Sequence, residues 1–156
     1  MKDKLKACGV YHIEHWQYGK LIKSERINNV VVQSFFTAVY NCLAGTSTSI
    51  PITHLATGDG TSTAARTDSA LGNELFRKAI STVTGGSTNF TAKTSLTPDD
   101  SNFTIREIGL FSNSTLISRV NVNIAKNENV QLLVMEMKVL NFMNITNQKL
   151  YFLIFK

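Results

Sequence analysis

Three histidines are the first residues in this sequence that could bind a metal. They are His12, His15 and His54. His12 and His15 lie in a stretch that alternates as a strand, and their odd spacing places them on opposite faces, where they cannot share a ligand. No HExxH motif and no Cys/His array with zinc spacing accompanies them. The sequence therefore predicts no metal site and no cofactor.

The two cysteines, Cys8 and Cys42, are far apart and lie outside any CxxC motif. So few thiols in a chain of 156 residues argue against a disulfide framework. Because cysteine is among the residues most often found inside proteins, we interpret both as buried, free thiols.

Acidic residues in turns are the next candidates for chemistry. Asp59 lies in Gly58-Asp59-Gly60, and Asp99-Asp100 follows Pro98. Paired carboxylates can perform acid–base catalysis or bind Ca²⁺, but turns also recruit Asp for hydrogen bonds to the backbone, and that role is favoured here. The first turn is not a phosphate loop, because it lacks the Gly-Lys-Ser/Thr ending. With no Ser/His/Asp arrangement in a recognisable context, we predict no catalytic residues and no enzyme.

A charged pair, Arg106-Glu107, interrupts an otherwise apolar strand. Adjacent strand residues face opposite ways, so these two side chains do not pair with each other. A carboxylate on a core-side position needs donors from an arginine or from backbone N–H groups. Arg77 and Arg119 lie on neighbouring predicted strands. We therefore predict a structural ion pair of Glu107 with Arg77 and Arg119 that fixes the sheet register or holds the loop at 64–73.

The elements that must position these side chains are mostly strands. An N-terminal hairpin is predicted from strands at 5–16 and 21–32, and the second strand is broken near Asn28-Asn29. Turn signals then recur at intervals of roughly 8–12 residues, which is typical of an antiparallel sandwich or barrel. Further strands are predicted at 50–57, 75–83, 88–96, 103–111, 115–124, 130–142 and 150–155. The sequence thus predicts a mainly β fold, an antiparallel β-sandwich.

One segment follows a helical pattern instead. Between residues 33 and 44, aromatic and aliphatic residues recur at three- and four-residue spacing. Gln33 or Ser34 would cap this helix, and Gly45 would end it. We predict one short α-helix after the N-terminal hairpin, within a single domain over residues 1–156, since the length suits one domain.

Composition and charge exclude several classes of protein. The net charge is +5, but Lys and Arg are spread thinly, which argues against nucleic-acid binding. The longest apolar runs fall short of the roughly 18 residues that span a bilayer, and the N-terminus lacks a signal peptide. We therefore expect a protein that is made in a cytoplasm and does not associate with a membrane.

Four short motifs, in order along the chain, resemble a family of small phage proteins of the tail, tail fibre or baseplate. They are a strand entering a Gly-rich turn at 52–61, an acidic and arginine-containing stretch at 68–78, Arg-Glu-Ile-Gly-Leu-Phe at 106–111 and Leu-Ile-Ser-Arg-Val at 116–120. The resemblance extends from about Val10 to Val139. Asp59 departs from it, because this turn often carries Thr in the family.

The resemblance implies a structural protein of the virion, made in the host cytoplasm. Such a subunit works by contacts with other virion proteins and with copies of itself, in a trimer or a ring. The C-terminal segment, Tyr151, Phe152, Leu153, Ile154 and Phe155, is apolar on both faces. A strand of this kind is either central in a sheet or covered by another subunit, and we predict a subunit interface for part of it.

Alternatives remain open at this point. A capsid-decoration or head-fibre protein would show the same composition. A module that recognises host glycans would use exposed aromatics, for which Trp16, Tyr18 and Tyr40 are the candidates. A small depolymerase is disfavoured, because no pair of acidic residues shares a strand face.

Overall fold

The computed structural model describes residues 4–86, 89–143 and 150–151, and the surroundings of side chains for residues 7–86 and 89–132. Within these ranges the chain forms eleven strands and one helix. They are β1 Lys4–Gln17, β2 Lys20–Asn28, β3 Val30–Val31, α1 Gln33–Leu43, β4 His54–Gly58, β5 Glu74–Ala79, β6 Thr82–Gly85, β7 Asn89–Leu96, β8 Thr104–Ser112, β9 Thr115–Ala125, β10 Gln131–Met143 and β11 Leu150–Tyr151. The fold is mainly β with one short helix, which confirms the predicted fold class.

The strands form two antiparallel sheets. Sheet A has the order β2-β1-β10-β7-β6, with β11 paired to the end of β10, and sheet B has the order β3-β9-β8-β4-β5. Apolar side chains of both sheets meet in a common core: Tyr11, Ile13, Leu96 and Leu132 from sheet A, and Leu55, Ile105, Ile108, Val120 and Ile124 from sheet B. This face-to-face arrangement is a β-sandwich.

The N-terminal hairpin closes through a two-residue turn, Tyr18-Gly19, between β1 and β2. Both residues have positive φ, 47° and 73°, as a type I′ turn requires. The predicted break near Asn28-Asn29 is the point where the chain leaves sheet A, because β3 pairs with β9 in sheet B. A hairpin in one sheet is thus continued by a strand in the other.

The helix packs against the edge of sheet B through Phe35 and Val39, which are both buried. Gly45 follows it with a φ of 70°, as expected of a helix terminator. The predicted cap was wrong, since the N-cap is Val32, which makes no side-chain hydrogen bond. Ser34 instead donates its hydroxyl to the carbonyl of Leu116.

Two strand boundaries differ from the prediction. The strand expected at 50–57 covers only β4, because Ile50 and Ile52 pack against the helix cluster before the strand begins. The strand expected at 75–83 is two strands, β5 in sheet B and β6 in sheet A. The chain changes sheets between them. The amide of Ile80 donates to Thr53, and the next amide, of Ser81, donates to Lys93 of β7.

Both cysteines are free thiols, but Cys8 is exposed and Cys42 is only half-buried, contrary to the burial predicted for both. Cys8 and the buried residues Tyr11 and Ile13 differ by an odd number of positions on β1. Because strand residues alternate between faces, Cys8 points away from the core that Tyr11 and Ile13 fill.

The sandwich core predicts that substitution of two isoleucines will affect the free energy of unfolding very differently. Ile108 is fully buried, whereas 62% of Ile22 is exposed. We expect Ile108→Ala to lower the free energy of unfolding by about 2–5 kcal/mol, through lost burial and a cavity. The control, Ile22→Ala, should change it by less than about 0.5 kcal/mol in the same denaturant titration. Equal effects of the two changes would contradict the described core.

Candidate functional site

The carboxylate of Glu107 is completely buried near the middle of β8. Arg119 of the neighbouring strand β9 lies beside it and is 2% exposed. The Nη2 and Nε atoms of Arg119 lie 2.8 and 2.9 Å from Oε2 of Glu107. A buried pair at these distances is a charge-assisted contact, and each ion compensates the other for lost hydration.

Backbone N–H groups complete the surroundings of this carboxylate. Gly60 and Asn73 donate to Oε1, at 3.1 and 2.8 Å, and Gly72 donates to Oε2 at 2.9 Å. These donors come from the two ends of one long connection, residues 59–73, which we call the Glu107 loop. The carboxylate therefore ties both ends of the loop to the outer face of sheet B.

Arg119 holds the middle of the same loop. Its Nη1 donates to Oδ2 of Asp68 at 2.7 Å, and its Nη2 donates to the carbonyl and the hydroxyl of Ser62, both at 2.8 Å. Asn121, the next outward residue of β9, accepts from the amide of Ala64 at 2.7 Å. One buried guanidinium thus joins the sheet to residues near the start and the centre of the loop.

Glycines make room for this arrangement. A Cβ atom at Gly58 would collide with the carbonyl of Asn73, and a Cβ atom at Gly60 would collide with Oε1 of Glu107. The Gly58-Asp59-Gly60 turn therefore allows the backbone to approach a carboxylate closely. Asp59 accepts a hydrogen bond from the amide side chain of Asn73 at 2.7 Å, which closes the neck of the loop. The sequence favoured a hydrogen bond from Asp59 to the backbone, whereas the partner here is a side chain.

An apolar cap lies beside the ion pair. Leu71 of the Glu107 loop is 8% exposed and packs in a cluster with Val32, Ala56, Phe111 and Leu116. The cluster covers part of the outer face of sheet B. Loop, ion pair and cap together give this sheet a second buried layer, opposite the sandwich core.

The prediction for Arg77 was wrong. Arg77 pairs with Glu74 on its own strand, with Nε 2.7 Å from Oε1, and its guanidinium lies 3.9 Å from the ring centre of Phe111. In the sheet, β4 separates β5 from β8, so Arg77 begins two strand spacings, roughly 10 Å, from the strand that carries Glu107. Arg119 is on the adjacent strand, and it alone of the two predicted arginines contacts Glu107.

The charged atoms of Glu107 and Arg119 all have hydrogen-bond partners. Both carboxylate oxygens accept hydrogen bonds, and each end nitrogen of the guanidinium is engaged. General acid–base catalysis needs a carboxylate that can reach a substrate proton. The arrangement instead functions as a structural tie. Sequence reasoning missed Asp68 and Ser62 as members of it, although the glycines at 58, 60 and 72 signal a crowded backbone.

A second polar cluster surrounds Asp100, in the turn after β7. Its carboxylate accepts from the amide and hydroxyl of Thr97, at 2.8 and 2.9 Å, and from the ammonium of Lys78. Partial burial alone would raise the pKa of Asp100, but the hydrogen bonds from Lys78 and Thr97 outweigh it and hold this pKa below its ordinary value. Asp100 thus has the turn role that the sequence favoured over catalysis.

Lys126 supports this turn from the neighbouring strand connection. It is 4% exposed and donates to the side-chain carbonyl of Asn102 at 3.0 Å. Burial lowers the pKa of Lys126, and the nearby charges of Asp100, Asp99 and Glu128 partly oppose that change. The charged side chains of Lys78, Asp100 and Lys126 therefore hold the connection between β7 of sheet A and β8 of sheet B.

The histidines are engaged in contacts along the hairpin and at the start of β4. Nε2 of His15 lies 2.8 Å from Oε1 of Glu25, and Nε2 of His12 lies 2.7 Å from the hydroxyl of Ser24. Nδ1 of His54 lies 2.9 Å from the hydroxyl of Thr53. Among the described side chains of residues 7–86 and 89–132, no group of three or more His, Cys, Asp or Glu is placed to hold a metal ion.

The remaining predicted residues fall in different places. Trp16 and Tyr18 line one cleft at the tip of the hairpin, whereas Tyr40 lies on the helix, where 67% of it is exposed. In the C-terminal segment, the backbone of Tyr151 pairs with Phe142. The side chain of Tyr151 and all of residues 152–155, the other members of the predicted interface, lie outside the described part. That interface stays a prediction.

Comparison with protein-family models, with curated proteins and with solved structures gave no match to this chain. The resemblance to phage tail proteins therefore stays a prediction. In the described part of the chain, the single helix is too short to cross a bilayer.

The buried carboxylate gives a direct test of the tie. We expect Glu107→Gln to lower the free energy of unfolding by about 3–5 kcal/mol, because the amide leaves the buried charge of Arg119 only partly compensated and points a donor at other donors. Limited proteolysis should then cut within residues 59–73.

Glu74→Gln is the matched control, since Glu74 pairs with an arginine at the protein surface. It should lower the free energy of unfolding by less than about 1 kcal/mol. If Glu107→Gln proved no more damaging than this control in denaturant titration, the proposed tie would be wrong.

The lowered pKa of Asp100 predicts that the free energy of unfolding depends on pH. Its pKa is lower in the folded chain than the ordinary 3.8, so its contribution is present above pH 3.8 and is lost as the pH falls through the folded value. Asp100→Asn should cost about 1–2 kcal/mol at neutral pH, and the gap to the unmodified chain should close in acid. Asp99→Asn, at the exposed neighbour, serves as control. A gap that stayed constant from pH 7 to pH 2 would refute this assignment.

Proposed function

We propose that this chain is a non-enzymatic structural subunit of a phage particle, associated with the tail, baseplate or fibre. It acts as an assembly or adaptor protein through contacts with other virion proteins and with copies of itself in a trimer or ring. The series of motifs that ends in Arg-Glu-Ile-Gly-Leu-Phe and Leu-Ile-Ser-Arg-Val supports the assignment to a phage particle. The edge of sheet A suggests the mode of action.

The observation that carries the proposal is strand β2. It is the end strand of sheet A, and in the described part of the chain it pairs with β1 alone. A nine-residue edge strand offers a row of unpaired backbone donors and acceptors to another chain. Its first apolar residues, Leu21 and Ile22, are 48% and 62% exposed. Backbone groups and apolar side chains are thus presented together.

The charges of β2 restrict which partner fits. The strand carries Lys20, Lys23 and Arg26 against one acid, Glu25, which accepts from Lys23 at 2.9 Å. Lysines on an edge suppress indiscriminate pairing of strands. A partner edge with acidic residues would meet this basic strand with complementary charge. β2 therefore suits a specific assembly contact.

The polar interior supports a structural role as well. Among the described side chains, Glu107 and Arg119 are the most deeply buried ionic groups, and both are engaged in holding the Glu107 loop. Such a tie gives a stiff body with a defined surface. A subunit that must hold a fixed geometry in a particle benefits from this stiffness more than from a reactive carboxylate.

Immunogold labelling of the phage that encodes this chain tests the proposal. An antibody against the chain should label the tail, baseplate or fibre base of intact particles. Label confined to the head would favour the capsid-decoration alternative over the proposed one. Purified particles that carry no label, with the free protein detected only in the lysate, would overturn the virion assignment.

The edge contact predicts the effect of added charge. The unmodified chain should have the mass of a trimer or larger ring in analytical ultracentrifugation. Leu21→Lys combined with Ile22→Lys should give a folded monomer, because both side chains are exposed and the charges repel an approaching strand.

Leu43→Lys, on the helix, is the matched control, since 57% of Leu43 is exposed. This variant should keep the mass of the unmodified chain. Two results would contradict the edge contact: an unmodified chain that is monomeric at all concentrations, or a double variant that assembles as before.

A further inference from the structure

A cleft lies at the tip of the N-terminal hairpin. It has a volume of about 280 Å³ and is lined by Trp16 and Tyr18 of the hairpin, by Pro98 after β7, and by Asn129 and Gln131 near the start of β10. Three separate parts of the chain thus meet around two aromatic rings. This volume is just below the range that is usual for sites of drug-sized ligands, about 300–1,000 Å³, and suits a smaller ligand.

The polar atoms of both rings are already engaged. The indole N–H of Trp16 donates to Oε2 of Glu14 at 3.0 Å, and the hydroxyl of Tyr18 donates to Oδ1 of Asn129 at 3.2 Å. Because the indole N–H is the only donor of tryptophan, what Trp16 can offer to a ligand is the ring itself. These bonds also fix the ring positions before any ligand arrives.

Tyr18 occupies a position where tyrosine is unfavourable. Its φ of 47° is in the left-handed region, which glycine and asparagine adopt with the least strain. Its side chain is 83% exposed, so burial in the core does not compensate for that strain. Residues held in such conformations cluster at functional sites. The turn alone would be better served by Asn-Gly, and the aromatic ring therefore points to another role.

We propose that this cleft binds a saccharide. Sugar rings present apolar C–H faces, which stack on aromatic rings, and hydroxyl groups, which bond to amides and carboxylates. The cleft supplies both, since Glu128, Asn129 and Gln131 lie beside the two rings. Nε2 of Gln131 donates to the hydroxyl of Ser95 at 2.8 Å and Oδ1 of Asn129 accepts from Tyr18, so the groups left for a sugar are the Glu128 carboxylate, Nδ2 of Asn129 and Oε1 of Gln131. Phosphate-bearing ligands fit poorly, because the lining contains an acid and no Lys or Arg.

Saccharide binding at this cleft goes beyond the proposed assembly function and does not depend on it. The source of the saccharide does rest on that function: on a particle subunit, the ligand would be a glycan of the host surface. The lining holds one carboxylate, Glu128, and glycoside hydrolysis uses a pair, so the site binds sugar without cleaving it.

A glycan array followed by calorimetric titration of the best monosaccharide tests the proposal. We expect binding by the full chain. Tyr18→Asn should weaken it by about tenfold or more, since it removes a ring while keeping a turn-compatible residue. The same variant should melt at an equal or higher temperature, which excludes unfolding as the cause.

Further variants test whether the aromatic rings of the cleft themselves contribute to the affinity for sugar. Tyr18→Phe should retain most of the affinity, and Trp16→Ala should lose it. Tyr40→Ala, which removes an exposed tyrosine on the helix, should bind like the unmodified chain. Sugar binding by a chain that stays monomeric in analytical ultracentrifugation would support this inference while contradicting the assembly proposal, so failure of one proposal is distinguishable from failure of the other.

Three results would overturn the inference. One is an array on which the unmodified chain binds no saccharide. Another is affinity that Tyr18→Asn leaves unchanged. The last is binding of an oligoproline peptide in place of sugars, because aromatic grooves also recognise polyproline helices.

Discussion

Burial of the Glu107 carboxylate constrains more of this structure than any other single interaction. Moving a carboxylate out of water costs several kcal/mol, and one arginine rarely offsets that cost. Here three backbone N–H groups and two nitrogens of Arg119 contact the two oxygens. The three backbone donors lie within residues 59–73, so this loop must fold back over sheet B. Glycines at 58 and 60 follow from the same requirement.

This constraint separates the molecule into a stiff interior and an available surface. The buried ionic groups, Glu107 and Arg119, hold the Glu107 loop against the outer face of sheet B. Several large apolar and aromatic side chains stay exposed, and three of them, Tyr18, Leu21 and Ile22, lie together on the N-terminal hairpin. Both proposals, subunit contact and saccharide binding, place function on this hairpin, because it combines an edge strand with exposed apolar and aromatic side chains.

Patterns within short stretches of the chain could be predicted from sequence. The alternation at 5–16 and the helical spacing at 33–44 are local, and the structure places β1 and α1 there. Contacts between distant segments were harder. Arg77 and Arg119 were equal candidates for Glu107, because sequence does not reveal that β4 separates β5 from β8. The helix cap failed for the same reason, since Ser34 bonds to Leu116, 82 positions away.

Hydrogen exchange at three amides tests the central claim most directly. The amides of Gly60, Gly72 and Asn73 belong to a long irregular connection, in which amides ordinarily exchange fast. If the Glu107 carboxylate holds them, they should exchange as slowly as the amides of β8, and they should open together with those of β8 in denaturant. Fast exchange of these three amides, beside a protected β8, would show that the carboxylate does not tie the loop to the sheet.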